Sequence, residues 1–167
     1  NSNDRLEEQT KYLESQLKHS KAKWKIVTCH HSVFSPAKGR DFKFARENWK
    51  PLLDKYQVEL VLNGHDHTYA RGHVPIRATD DDSPELGTIY VTSVSGPKQY
   101  SLDRKQILAY ELQGYQSDKT AERTQFFQVI TIKDNNLSYV AYTAVGEEYD
   151  RAEITKDFVT GLKKLKD

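Results

Sequence analysis

Residues 58–67 read VELVLNGHDH, an apolar run that ends in a turn carrying two histidines. The run has no polar alternation beyond one glutamate, which predicts a strand covered on both faces. A second apolar run, Trp24–Cys29, is too short for a helix and leads into two further histidines. Because a helix is predicted between them, over Arg46–Tyr56, the two strands need a crossover connection. That order predicts a parallel pair in an α/β sheet.

The rest of the chain divides into one long helix and a β-rich second part. Leucines recur at helical spacing in the opening segment, which predicts a helix over Asn1–His19. Runs of β-branched and aromatic residues predict strands at Thr88–Ser95, Phe126–Lys133 and Leu137–Ala144. We expect these strands to join the first two in one sheet, within a single unit over residues 1–167. Asp80–Pro84 is predicted as an acidic loop, and Gln113–Ala121 as an exposed loop or hairpin tip. Phe158–Lys166 is predicted as a short basic helix or a frayed end.

Composition and charge exclude several classes of protein. The 167 residues include 25 basic and 24 acidic side chains, a balance that argues against a strong electrostatic nucleic-acid binder. An apolar fraction of 37% with 11% aromatics is typical of a chain that folds. No apolar run approaches the roughly 18 residues of a membrane span. The single cysteine, Cys29, excludes an internal disulfide and a multi-cysteine zinc site. We therefore expect neither nucleic acid nor membrane as a partner.

Histidines follow both predicted parallel strands. The carboxyl ends of neighbouring parallel strands share one crevice, so we expect His30, His65 and His67 to converge there. Gly64 would allow a sharp exit from the strand, and an extended turn would direct the last two imidazoles to neighbouring points. Imidazole is a ligand for Zn, Fe and Mn. The pattern therefore favours a metal site over ordinary loop histidines.

Several segments, in this order, resemble the calcineurin-like metallophosphoesterases, and within them the purple acid phosphatase-like branch. Residues 9–17, QTKYLESQL, resemble the helix pattern Q-x-x-W/Y-L-x-x-x-L, and residues 24–30, WKIVTCH, resemble a strand ending in V-x-x-H. Residues 64–71, GHDHTYAR, resemble G-H-x-H-x-Y-E-R, with Ala70 where the family carries glutamate. Residues 87–91, GTIYV, resemble the strand that follows. The resemblance covers residues 9–97.

The resemblance implies a fold and a metal centre. The fold would be the C-terminal half of an α/β/β/α sandwich, with a mixed sheet flanked by helices. The centre would hold two metal ions, Fe, Zn or Mn, with His30 and His65 on one ion and His67 on the other. Such an enzyme hydrolyses a phosphate ester by lowering the pKa of a bound water and stabilising the attacking and leaving oxygens.

The resemblance also suggests residues that touch the substrate. His31 would donate to a phosphate oxygen or protonate the leaving alkoxide, with a supporting or surface role as an equal alternative. Tyr69 and Arg71 are candidates for substrate binding, with a structural tyrosine and an exposed arginine as the competing interpretation.

The carboxylate motifs of the family are absent. None of the eight glycines is followed by Asp or Asn, so neither G-D-x-x-Y nor G-N-H occurs. Those motifs supply the ligand that bridges the two metals. We therefore interpret the chain as the C-terminal portion of a metallophosphoesterase domain, whose partner would be the missing N-terminal half of the same domain. Alone it would be inactive, free of metal or weakly metal-binding, and prone to self-association.

Two other functions stay open at this point. The chain could be a non-catalytic half-domain that binds metal or a partner without turnover. A nuclease of the same superfamily is disfavoured by the near-neutral charge and by the Y-x-R extension. The branch suggests a secreted or periplasmic protein, although one cysteine is equally compatible with the cytoplasm.

Overall fold

The structure is a computed structural model that describes residues 5–76 and 85–166. Its helices are α1 (Leu6–His19), α2 (Lys50–Lys55), which continues a π-helical turn at Ala45–Trp49, and α3 (Arg104–Glu111). Its strands are β1 (Ile26–Cys29), β2 (Leu60–Asn63), β3 (Tyr69–Ile76), β4 (Glu85–Thr92), β5 (Gln116–Ala121), β6 (Phe126–Lys133), β7 (Asn136–Thr143), β8 (Glu148–Lys156) and β9 (Lys163–Lys166). The predicted acidic loop Asp80–Pro84 lies outside the described residues.

The first sheet has the order β1-β2-β4-β3-β5 and is mixed. Strands β1, β2 and β4 are parallel, which confirms the predicted pair, whereas β3 and β5 run antiparallel to their neighbours. Neighbouring residues of β2 face opposite layers: Val61 packs with Leu17 and Leu53 of the helices, and Leu60 packs with the second sheet. Both faces of β2 are therefore covered, as its unbroken apolar run predicts.

The second sheet is a separate antiparallel meander, β6-β7-β8-β9. The prediction of a single sheet was wrong, because strand propensity does not say which strands will pair. The tight turn at Asp134, whose φ is 52°, joins β6 to β7 as a hairpin. The inner face of the meander presents Phe126 and Leu137 to Ile89 of the first sheet. The described chain thus builds both layers of its sheet-on-sheet core.

Two segments predicted without strands form sheet edges instead. Residues 116–121, QSDKTA, carry no apolar alternation, yet they form β5 because the free edge of β3 accepts their backbone hydrogen bonds. Residues 163–166 form β9 against β8, where the predicted basic helix was expected. None of the helices within 5–76 and 85–166 has both the length and the apolar character needed to cross a bilayer.

A buried polar network joins the two sheets. The Arg71 guanidinium of β3 donates to both carboxylate oxygens of Asp150 of β8, at 2.8 and 3.0 Å, and to Asp118 of β5 at 3.0 Å. The Tyr69 hydroxyl donates to Asp150 at 2.6 Å and lies 3.0 Å from the hydroxyl of Tyr139. Burial raises the pKa of Tyr69 far above its usual value, so this hydroxyl remains a donor. The network fixes how the meander sits on the first sheet.

Replacing Asp150 by alanine should destabilise the fold, because it leaves the buried Arg71 charge without its bidentate carboxylate partner. Removing one partner of a buried ion pair lowers the free energy of unfolding by about 3–5 kcal/mol. Urea denaturation of the variant measures this loss. Glu148→Ala is the matched control, since Glu148 lies on the same strand and pairs with Arg151 at the surface. Equal losses in both variants would contradict a structural role for the network.

Candidate functional site

Three histidines come together where the first two parallel strands end. The β1–β2 register sets Cys29 beside Asn63, so His30 emerges next to the turn that carries His65. Nε2 of His30 lies 3.1 Å from Nδ1 of His65. The ring of His31 is centred 4.4 Å from that of His65. The structure therefore gathers the predicted ligands His30 and His65 with the predicted catalytic His31.

The turn after β2 is not extended, contrary to the expectation from the sequence. His65 and His67 both adopt left-handed backbone conformations, with φ of 68° and 51°. Gly64 is not among the residues with positive φ, so the sharp exit does not use the freedom of glycine. A left-handed residue with a side chain costs roughly 1–2 kcal/mol, although histidine is enriched there. Such strain persists where surrounding contacts over-determine it, as at many functional sites.

Asn63 ties the two strand ends together. Its amide nitrogen lies 3.1 Å from the carbonyl oxygens of both Cys29 and His31, and its side-chain oxygen accepts from the Val33 backbone. The same amide approaches the Cys29 thiol, whose pKa burial raises to about 11. The buried side chain of Asn63 thus positions the segment that carries His30 and His31.

The predicted ligand His67 faces a different loop. Its Nδ1 donates to the Lys98 carbonyl at 3.0 Å, because a carbonyl oxygen can only accept. The Tyr100 backbone N–H donates in return to the His67 carbonyl. This arrangement leaves the proton on Nδ1 and the lone pair on Nε2. A carbonyl on the second ring nitrogen is usual for a metal-binding histidine.

An arginine that the sequence did not suggest contacts His65. Nη1 of Arg40 lies 2.8 Å from Nε2 of His65, and Nη2 donates to the Tyr100 hydroxyl at 2.9 Å. Guanidinium has no acceptor, so Nε2 of His65 must accept and its proton sits on Nδ1, directed at His30. Burial first, and then the charge of Arg40, lower the pKa of His65. Burial and the neighbouring histidines also lower the pKa of His31.

The residues present fit part of a metal centre. With metal–nitrogen bonds of about 2.0–2.1 Å, nitrogens 3.1 Å apart can bind one ion together. Within 5–76 and 85–166, however, no group of three or more His, Cys, Asp or Glu side chains is placed to hold an ion. Both ring nitrogens of His65 are engaged, so ligation requires it to give up one contact. The described chain thus supplies imidazoles and no bridging carboxylate.

Tyr69 and Arg71, the predicted substrate-binding pair, do not join the histidines. Both side chains are buried between the two sheets and bind Asp150. The expectation of an exposed Arg71 was wrong, because the second sheet supplies a carboxylate that the sequence alone could not locate. This placement gives no support to a contact with substrate.

The residues that sequence reasoning missed differ in how they could have been found. Lys98 and Tyr100 follow β4, which runs parallel to β2 and ends at the same edge of the sheet. Because the carboxyl ends of neighbouring parallel strands share one crevice, the loop after β4 could also have been predicted to lie near the histidines. Arg40 lies eleven residues beyond the end of β1, in a loop with no periodic pattern. Only the tertiary structure brings it to His65.

Comparison with known proteins supports the resemblance found in the sequence. Residues 1–69 match the model of the calcineurin-like phosphoesterase family. Purple acid phosphatase 17 of Arabidopsis thaliana is 38% identical over 91 residues, covering 54% of this chain and 24% of the relative. Purple acid phosphatase 4 of the same plant is 29% identical over 150 residues, covering 86% and 38%. The chain thus spans well under half the length of these relatives.

Two solved structures share the fold. Purple acid phosphatase PPD1 from yellow lupin (Lupinus luteus) seeds aligns with a TM-score of 0.67 and 22% identity, covering 93% of this chain and 29% of that one. GAP50, the anchor in the inner membrane complex of Plasmodium, aligns with a TM-score of 0.64 and 20% identity, covering 93% and 45%. At these identities the likeness concerns the fold alone.

Residues 1–69 resemble the calcineurin-like phosphoesterases, a family of hydrolases, and the curated relatives named above are purple acid phosphatases. These comparisons support the predicted family and branch. The predicted class of fold, a mixed sheet flanked by helices, is confirmed. That family implies a dinuclear metal centre and a phosphoester substrate, both as properties of the whole enzymes.

Asn63→Ala should destabilise the chain and loosen the strand ends. It leaves buried partners in Cys29, His31 and Val33 without their hydrogen bonds, at about 1–3 kcal/mol for each buried group left unsatisfied. Urea denaturation measures the loss, and the NMR shifts of the His30 and His65 rings report the displacement. Asn48→Ala is the control, because the Asn48 amide donates to the Phe44 carbonyl on the exposed surface. Unchanged ring shifts would contradict the positioning role.

Proposed function

We propose that this chain is the C-terminal portion of the catalytic domain of a dinuclear-metal phosphatase that hydrolyses phosphate monoesters. The observation that carries the proposal is the pair of imidazole nitrogens, His30 Nε2 and His65 Nδ1, held 3.1 Å apart where two parallel strands end. The similarity to purple acid phosphatases supports it.

In this proposal His30 and His65 hold one ion and His67 holds the other, the metals being Fe, Zn or Mn. When bound, the ions supply a water of lowered pKa and neutralise the charge of the phosphate. Ligation is consistent with the Lys98 carbonyl on Nδ1 of His67, which leaves Nε2 as the ligating atom.

His31 is the proposed catalytic residue of the chain. It lines a cavity of about 230 Å³ together with Arg40 and His65. From there an imidazole N–H can donate to a phosphate oxygen or to the leaving alkoxide. Tyr69 and Arg71 serve the proposed enzyme by fixing the second sheet beneath the site.

The proposed partner of the chain is the polypeptide that carries the carboxylate motifs, the N-terminal half of the same domain. In the described residues β1 pairs with β2 alone, so one edge of β1 is open to a further strand. A groove of about 730 Å³ beside it is lined by residues of α1, of β1 and of the segment between them, and Leu13, Trp24 and Val27 are among its apolar side chains. The upstream half would cover this groove, and without it the open edge would favour self-association.

A non-catalytic role is the second candidate. The observation that favours it is Arg40, whose guanidinium keeps the lone pair of His65 on Nε2, whereas ligation beside His30 would need that lone pair on Nδ1. The discriminating information is the sequence upstream of Asn1, where an enzyme should carry G-D-x-x-Y and G-N-H. Secretion or periplasmic export is proposed from the branch alone.

The 167-residue chain should show no turnover of an aryl phosphate with added Mn, Zn or Fe, because no carboxylate bridges the metals. The same chain extended upstream through both motifs should hydrolyse the ester, and a chelator should abolish the reaction. Chelator-sensitive turnover by the chain alone would show that the bridging ligand is dispensable. Inactivity of the extended and metal-loaded protein would favour the non-catalytic module.

Zinc should bind the chain weakly, at a site that depends on His30 and not on His67. Two imidazoles complete only half of a tetrahedral shell, and water would fill the rest. Isothermal titration calorimetry should show binding lost in His30→Ala and retained in His67→Ala, with His19→Ala as an exposed control. Equal losses in both site variants would mean that the three histidines form one site.

A further inference from the structure

The turn between β8 and β9 exposes three apolar side chains, Phe158, Val159 and Leu162, which we call the apolar tip. Their exposed fractions are 37%, 95% and 50%. Isolated apolar residues are ordinary on a protein surface, but these three share one turn. The Trp24 ring extends the patch, since its centre lies 6.1 Å from that of Phe158 and its indole N–H donates to the Asp134 carbonyl. The apolar tip therefore lies at the end of the molecule opposite the histidines.

Hydrogen bonds fix the turn that presents the apolar tip. A carboxylate oxygen of Asp157 accepts from the backbone N–H groups of Val159 and Thr160, at 2.7 and 3.2 Å. The Gly161 N–H donates to the Asp157 carbonyl at 2.8 Å. Gly161 has a φ of 80°, which glycine adopts without steric cost. The backbone hydrogen bonds lower the pKa of Asp157, so its carboxylate stays ionised and keeps these contacts. The fold itself thus holds Val159 in solvent.

Lysines lie around the apolar tip. The Lys23 ammonium lies 4.7 Å from the centre of the phenyl ring of the tip. Strand register places Lys133 of β6 and Lys164 of β9 in one row across the meander, at the end that carries the tip. All three lysines are exposed. The carboxylates of Asp134 and Asp157 share this end, and backbone N–H groups already bind the second. The balance of these charges is positive.

The excess of positive charge continues below the surface. Lys156 and Lys163 lie opposite each other on β8 and β9, and both side chains are buried. The buried Glu59 carboxylate accepts from Lys156 Nζ at 2.7 Å and from the Lys25 backbone N–H at 2.7 Å. Within residues 5–76 and 85–166, Lys163 Nζ makes no hydrogen bond. Burial lowers the pKa of Lys163, and an anion at this end of the molecule would stabilise its ammonium form.

We propose that the apolar tip docks on a negatively charged membrane surface, where its side chains enter the boundary between headgroups and acyl chains while the lysines contact anionic headgroups. Apolar and aromatic side chains beside lysines are the combination that binds such an interface. The sequence-based expectation of no membrane partner rested on the lack of a spanning apolar run, which a surface contact does not need. The proposal goes beyond the proposed phosphatase function and does not depend on it.

Charge complementarity and shape favour a membrane over a protein or a second copy. The lysines match anionic lipids, and each lysine near such a surface should raise the affinity about fivefold. A second copy would bring the same lysines and would be repelled. A stable protein interface buries about 800 Å² on each partner, far more than three side chains of one turn expose. A bilayer instead accommodates a projecting turn without a matching surface.

The test is flotation of the 167-residue chain with vesicles of phosphatidylcholine alone or with about 30% phosphatidylserine. Binding to the anionic vesicles alone is expected, and it should weaken as salt rises to about 1 M, because salt screens the lysines. Brominated lipids should quench Trp24, which lies beside the tip. Trp49, the second of the two tryptophans, is buried and should not respond.

A matched pair of valine variants assigns the binding to the apolar tip. Val159→Asp should lower the affinity for anionic vesicles at least tenfold, because it replaces an apolar side chain of the contact by a charge that the lipids repel. Val145 is 82% exposed in the turn at the opposite end of β8. Val145→Asp makes the same change there and should alter the affinity less than twofold. Circular dichroism checks that both variants fold.

A matched pair of lysine variants tests the electrostatic part. The double change Lys23→Gln with Lys164→Gln should weaken binding about tenfold or more. Lys38→Gln with Lys105→Gln removes the same charge from exposed positions away from the tip and should have an effect of less than twofold.

The outcomes decide the proposal without any measurement of activity. No binding to anionic vesicles, equal binding to neutral ones, or equal losses in Val159→Asp and Val145→Asp would each overturn it. A dimer that Val159→Asp abolishes, in a chain that ignores vesicles, would assign the tip to a second copy and also overturn it. Vesicle binding that depends on Val159 would support the proposal even if the extended protein proved inactive as a phosphatase.

Discussion

The parallel pairing of β1 with β2 is the constraint on which the site depends. It sets Cys29 beside Asn63, and the next residues of each strand carry the histidines. The Asn63 amide then fastens the strand ends through backbone carbonyls, a use of a buried polar group that satisfies several acceptors with one side chain. Because these contacts are made by the protein itself, the arrangement of His30 and His65 needs no bound metal to define it.

Stability and chemistry are divided between β3 and the turn that precedes it. The turn that precedes it carries His65 and His67, whereas its own residues Tyr69 and Arg71 are committed to Asp150 and the second sheet. A buried ion pair contributes less to net stability than its contacts suggest, because both charges lose their hydration. Its value here is geometric, since the bidentate contact allows one placement of the meander against the first sheet.

His65 is the residue on which competing interactions meet. His30 lies on one ring nitrogen and Arg40 on the other, and the donor-only chemistry of guanidinium fixes which nitrogen carries the proton. Ligation through Nδ1 would need the lone pair that the present tautomer places on Nε2. Release of Arg40 from His65 would therefore accompany binding of the proposed metal.

The sequence by itself determined the parallel pair, the crossover and the convergence of His30 with His65, because strand periodicity and connection rules are local properties. It also pointed to the family that the comparisons support, through G-H-x-H joined to V-x-x-H. It could not assign Phe126–Lys133 to a second sheet, since the same pattern suits either sheet. Only the tertiary structure decided that Arg71 is buried and that Arg40 reaches His65. Both depend on partners 79 and 25 residues away, and contacts over such distances leave no periodic signal in the chain.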